Sequence, residues 1–194
     1  MNKILLVLGD SLTNFGEQPG GWARLLDERM CTYTIKTFGR NGYTSSDYVR
    51  ELPSIVPIPD LRSAHDIVIW LGTNDILKMN DFPISNQQFN YNIKSMIDYL
   101  LYINPLLQFT LISVPINNYT ITESNPYKES KINSFNVYLE HYAKENNFKF
   151  INLNNEENPN KLTSSDFIDG VHFNEQGNEK IYLNLAETYK PLFC

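Results

Sequence analysis

Cysteine is nearly absent. The chain holds two in 194 residues, Cys31 and Cys194, far apart and with no Cys-x-x-Cys pair. That excludes a disulfide-stapled scaffold and reads as two free thiols in a reducing compartment. Histidine is also scarce, and His65, His141 and His172 show no metal-ligand spacing, so neither a metal nor a cofactor is expected. Basic residues are outnumbered 16 to 22 by acidic ones, for a formal net charge of −6. The positive footprint that a nucleic-acid partner requires is therefore missing. No apolar run approaches the length of a membrane span. The run Ile4-Leu5-Leu6-Val7-Leu8 after Lys3 is too short for the apolar core of a signal peptide, and it leads straight into Gly9. We read it as a first strand, in a chain that works in the cytoplasm.

What is present is an alternation of strands and helices. Apolar residues make up 42% and charged residues 20%, the balance of a globular domain that buries its own core. Residues 3–8 and 67–71 are continuous apolar runs, each ending at a glycine, as buried parallel strands do. Residues 33–38, 106–114 and 148–153 add three more strands. Helical spacing marks 20–30, 44–52, 85–102, 127–146 and 174–190, with Ser85 and Asn174 as N-caps. Pro53, Pro57 and Pro59 predict a loop between the second helix and the third strand. No linker or internal repeat interrupts the pattern, so residues 1–194 read as one α/β domain with a parallel sheet covered on both faces. In such sheets ligands bind outside the carboxyl ends of the strands. Ser11, Gly42 and Asn74 follow the first, second and third strands in turn, which directs them to one shared edge.

The chemistry-bearing residues lie in short motifs. Gly9-Asp10-Ser11-Leu12 follows the first strand, Gly72-Thr73-Asn74-Asp75 the third, and Asp169-Gly170-Val171-His172 precedes the last helix. A serine hydroxyl becomes nucleophilic when a base takes its proton. His65 at a strand start and His141 inside a surface helix are poorly placed for that role. His172 lies in a late loop with an acid three residues before it, close enough for Asp169 to reach Nδ1. Asn74, through its amide, and the backbone N–H groups of Ser11 and Gly42 are candidate donors to a developing oxyanion. Asp10 and Asp75 are assigned to orienting hydrogen bonds. Each residue alone has a plainer reading: a capping serine, a structural histidine, a loop glycine or a turn asparagine.

Taken together, Gly9-Asp10-Ser11-Leu12, Gly42, Gly72-Thr73-Asn74-Asp75 and Asp169-x-x-His172 resemble the blocks of the SGNH (GDSL) hydrolase superfamily, in the family's order and across most of the chain. The resemblance implies a flavodoxin-like, three-layer α/β/α sandwich on a five-stranded parallel sheet. It implies Ser11 as nucleophile, His172 as base, Asp169 as its acid, and Ser11, Gly42 and Asn74 as the oxyanion hole. The implied activity is a serine esterase working through an acyl-enzyme on a small-molecule ester. Lysophospholipase or thioesterase activity, and acyl transfer with the same residues, are the alternatives, and a non-catalytic binding module on the same fold is a more distant one.

Substrate selection is expected in the loops around this edge. They carry Phe15, Gly20, Gly21 and Trp22 in one segment, Met79, Phe82 and Pro83 in a second, and the polar stretch 115–126 in a third. Their apolar members are candidates for an acyl pocket, against the plainer reading of Trp22 and Phe82 as core. The polar stretch leans towards an O-acetylated carbohydrate.

Overall fold

A computed structural model describes residues 2–30, 32–78, 84–116 and 126–189. The readings made above for Cys31, Cys194, Met79, Phe82 and Pro83, and for most of the 115–126 stretch, lie outside these residues. In chain order the elements are β1 (Lys3–Gly9), α1 (Ser11–Gly16), α2 (Trp22–Arg29), β2 (Tyr33–Gly39), α3 (Ser45–Ile55), α4 (Ile58–Ser63) and β3 (Asp66–Trp70). They continue with α5 (Thr73–Leu77), α6 (Asn86–Ile103), β4 (Gln108–Ile112), α7 (Pro126–Glu145), β5 (Lys149–Ile151), a 3₁₀ turn at Ser164–Asp166, and α8 (Glu175–Thr188).

The five strands form one sheet in the order β2-β1-β3-β4-β5, and every pairing is parallel. Alternation along β1 explains the layers. Leu6 and Leu8 face a core built with Tyr48 and Leu52 of α3, Ile93 and Ile97 of α6, and Phe135 of α7. Leu5 and Val7 face the opposite core, with Leu12 of α1, Trp22 and Leu26 of α2, and Leu185 of α8. All four β1 side chains are fully buried, each worth about 1.5–3 kcal/mol of apolar burial. The α/β/α sandwich implied by the sequence is therefore present. Its strand order reverses direction between β1 and β3, and a crevice opens at such a switch point beyond the carboxyl ends.

The elements differ from the sequence reading where prolines and short helices are concerned. α3 continues through Pro53, and α4 occupies residues expected to be loop. A proline near the last turn forfeits one backbone bond, and burial of Leu52 and Ile55 offsets it. Pro57 and Pro59 lie at the start of α4, where the missing N–H costs nothing. α1 and α5 are single-turn helices directly after strands, too short to show periodicity. β4 and β5 are shorter than the apolar runs that announced them. Ser85 and Asn174 are N-caps, accepting from the N–H groups of Gln88 and Gly177.

Two buried groups fix the end of β1. The Tyr48 hydroxyl accepts from the Gly9 N–H at 3.1 Å and lies against the carbonyls of Gly9 (2.7 Å) and Phe38. Asp10 caps α1, its Oδ1 accepting from the Leu12 N–H at 2.9 Å. Burial pushes the Asp10 carboxyl up to about 7 against the pull of the Leu12 bond, and the Asp75 carboxylate pushes the same way. The Asn74 side chain pulls the Asp10 carboxyl down as well, although its Oδ2 makes no hydrogen bond of normal geometry among the described residues.

Tyr48→Phe strands a buried backbone N–H and is expected to cost about 1–3 kcal/mol in denaturant unfolding; an unchanged midpoint would contradict the assignment. The raised Asp10 carboxyl favours the protonated fold. Its contribution is full below the unfolded value of 3.8 and is lost as the pH rises through about 7. Asp10→Asn is therefore expected to narrow the drop in Tm between about pH 5 and about pH 8. A drop as large as in the parent protein would show that Asp10 does not titrate in this range.

Candidate active site

Ser11 is the first residue of α1, immediately after the strand-end turn. The N–H groups of Leu12, Thr13 and Asn14 are taken up by Asp10, through its side chain or its carbonyl. The Ser11 N–H has no partner among the described residues, as the first position of a helix allows.

His172 arrives from a tight hairpin 161 residues away. Phe167 and Phe173 form an antiparallel bridge, and the Ile168 N–H donates to the His172 carbonyl at 2.8 Å. Within the loop, Asp169 Oδ1 accepts from the N–H groups of Val171 (3.0 Å) and His172 (2.8 Å), and Gly170 takes φ +86°, a conformation that favours glycine. Asp169 Oδ2 is thereby aimed at the ring and lies 2.6 Å from His172 Nδ1. His172 Nε2 is 3.0 Å from Ser11 Oγ. Partial burial pushes the Asp169 carboxyl up, but the His172 ring and the two backbone donors outweigh it and hold it near 2. An ionised Asp169 requires the proton on Nδ1, which leaves the Nε2 lone pair to accept the serine hydroxyl.

The hairpin is anchored on both sides. Phe173 stacks on Trp70 of β3, with ring centroids 5.7 Å apart. Asp166 is buried and accepts from Lys180 of α8 at 2.7 Å and from the Thr163 N–H at 2.6 Å. These supports were not legible in the sequence, because Asp166 and Lys180 have no motif spacing. Phe15, a candidate for an acyl pocket from its place in the loop after Ser11, lies against the triad. Its ring meets that of His172 edge-on at 4.7 Å.

On the other side of Ser11 lies the loop after β2. The Arg40 N–H donates to the Gly9 carbonyl at 2.9 Å, and Asn14 of α1 donates its amide to the Asn41 side chain, also at 2.9 Å. Gly42 takes φ +74°, in keeping with its reading as a residue of unusual dihedrals. Lys78 donates to its carbonyl at 2.5 Å, and its N–H has no partner among the described residues. Asn74 Nδ2 donates to the Tyr43 carbonyl at 3.1 Å, and the same side chain acts on the buried Asp10 carboxyl. Asp75 accepts from the N–H and hydroxyl of Ser45, tying α5 to the start of α3. Burial raises its carboxyl, with those bonds pulling the other way.

The structure thus joins Ser11, His172 and Asp169 in one hydrogen-bonded chain and ties the Gly42 loop to both the Ser11 helix and Asn74. His65 lies at the far end of the sheet, where its Nδ1 accepts from the Ile4 N–H. His141 pairs with Glu145 on the surface of α7. Among the described residues no cluster of three or more His, Cys, Asp or Glu side chains forms a metal site, and no helix is long and apolar enough to cross a membrane.

Comparison with known proteins agrees with this architecture. The sequence model of the GDSL-like lipase/acylhydrolase family matches residues 7–180. The isoamyl acetate-hydrolyzing esterase 1 homolog of Mus musculus is 26% identical over 197 residues, covering 94% of this chain and 79% of its own. The isoamyl acetate-hydrolyzing esterase of Schizosaccharomyces pombe is 26% identical over 189 residues, covering 95% and 74%. Among solved structures, the acetyl xylan esterase AlAXEase superposes with a TM-score of 0.77 at 21% identity, over 95% of this chain and 98% of its own, a likeness of fold. The chain belongs to the GDSL-like lipase/acylhydrolase family and is a carboxylic-ester hydrolase.

Proposed function

We propose that the protein is a serine esterase that cleaves small acetate-type esters through an acyl-enzyme on Ser11. The observation that carries this reading is the chain Asp169–His172–Ser11, with contacts of 2.6 and 3.0 Å. His172 takes the Ser11 proton as Oγ attacks the ester carbonyl. The alcohol leaves with that proton, and water, deprotonated by the same ring, releases the acid. Asp169 keeps the ring in the productive tautomer and stabilises its charged form. The free N–H groups of Ser11 and Gly42 and the Asn74 amide are the donors for the oxyanion. A short acyl group is favoured by the relatives named for isoamyl acetate. An O-acetylated carbohydrate rested on the 115–126 stretch, most of which lies outside the described residues, and we place an acetate of a simpler alcohol first.

A p-nitrophenyl ester series from acetate to palmitate tests the reading. Turnover is expected to be highest for the short acyl groups and to fall by roughly 10⁴–10⁶-fold in Ser11→Ala. Asn74→Ala is expected to lower kcat by roughly 10²–10³, and Asp169→Asn by about 10⁴ through the wrong tautomer. Hydrolysis that survives Ser11→Ala would refute the acyl-enzyme, and near-normal turnover in Asn74→Ala would remove that residue from the oxyanion hole. A preference for palmitate would replace the acetate reading with a lipolytic one.

A further inference from the structure

A cleft of about 550 Å³ opens beside His172, between the α1–α2 connection and the hairpin that carries Asp169. This volume suits a small-molecule site. Gly42, Tyr43 and Asn74 do not line it, so it lies on the histidine side of Ser11 and away from the Gly42 and Asn74 donors. We propose that this cleft receives the alcohol portion of the ester, and that it selects an uncharged alkyl or aryl alcohol through Phe15 and Ile168. The inference rests on the acyl-enzyme reading above.

The chemistry of acylation sets the side. As the bond from Ser11 Oγ to the carbonyl carbon forms, the bond from that carbon to the alcohol oxygen breaks. The electron pair goes to that oxygen, and the proton held on His172 Nε2 is delivered to it. The leaving oxygen must therefore lie within hydrogen-bond reach of His172, and its substituent extends past the ring. Past the ring lies this cleft.

The lining sets the kind of alcohol. Leu12, Phe15, Pro19, Ile168 and Phe173 supply its apolar walls. Phe15 is 45% exposed and Ile168 75% exposed, large apolar side chains left open to solvent beside a polar triad. The asparagines of the wall already make hydrogen bonds within the fold. Asn174 accepts from the Gly177 N–H and donates to the Ser165 carbonyl. Asn178 accepts from the Trp22 N–H and donates to the Asn174 carbonyl. No lysine or arginine lines the cleft. The polar side chains left at its rim are Gln18, Asp169 and Glu175, and the two carboxylates repel an anionic alcohol. An alkyl or aryl group packs on the exposed Phe15 and Ile168.

A pair of isomeric esters separates the two sides of the site: hexyl acetate, with its chain on the alcohol, and methyl heptanoate, with its chain on the acid. Each is referred to methyl acetate by the ratio of kcat/KM. Ile168→Asn and Phe15→Ala are expected to lower the hexyl acetate ratio about tenfold and to leave the methyl heptanoate ratio in place. Leu106→Asn, an exposed apolar change near the start of β4, is expected to move neither. A fall in the methyl heptanoate ratio instead would assign the cleft to the acyl chain. No change in either ratio would show that the cleft does not bind substrate. Both results overturn this proposal while the acyl-enzyme stands, whereas hydrolysis of all three esters by Ser11→Ala would overturn the acyl-enzyme and this proposal together.

Discussion

One hydrogen bond, 3.0 Å between His172 Nε2 and Ser11 Oγ, joins two ends of the chain across 161 residues. It forms only if several independent placements agree. β1 must run through the middle of the sheet so that Ser11 emerges at the crevice, which the buried run Leu5 to Leu8 enforces from both faces. Tyr48 and Asp10 must fix the strand end and the first turn of α1. The hairpin from Phe167 to Phe173 must be pinned to the same edge, by the stacking of Phe173 on Trp70 and by the Lys180–Asp166 pair. An error of an ångström in any of these breaks the contact, and catalysis of this kind tolerates little misplacement.

Those placements also divide the surroundings of Ser11 in two. One side holds polar backbone and the Asn74 amide, tied together through the Gly42 loop. The other side holds His172 and the apolar walls around it. Under the proposed mechanism the developing oxyanion faces the first and the departing alcohol the second.

The sheet was legible in the sequence because the central strands are continuous apolar runs and the others are rich in β-formers. The strand ends were less so: the runs at 106–114 and 148–153 continue past their ladders, since burial outlasts strand pairing there. Short helices left no periodic trace, so α1 and α5 were invisible, and prolines disguised the end of α3 and the start of α4. Ser11, Asp169 and His172 were readable as candidates because their local motifs are compact. Trp22 was ambiguous between pocket and core. It is fully buried, its indole N–H donating to the Leu12 carbonyl, so it supports the site from below. The roles of Phe15 and Ile168 depend on which surface faces His172, and only the folded chain supplies that.

The central claim is that Ser11 is the activated nucleophile. Intact-mass analysis after treatment with a fluorophosphonate ester, which phosphonylates a serine made nucleophilic by a neighbouring base, tests it most directly. The account predicts one adduct per chain, mapped to the peptide containing Ser11 and absent when His172 is replaced by alanine. Labelling elsewhere, or an unlabelled Ser11 in a protein that still hydrolyses esters, would contradict it.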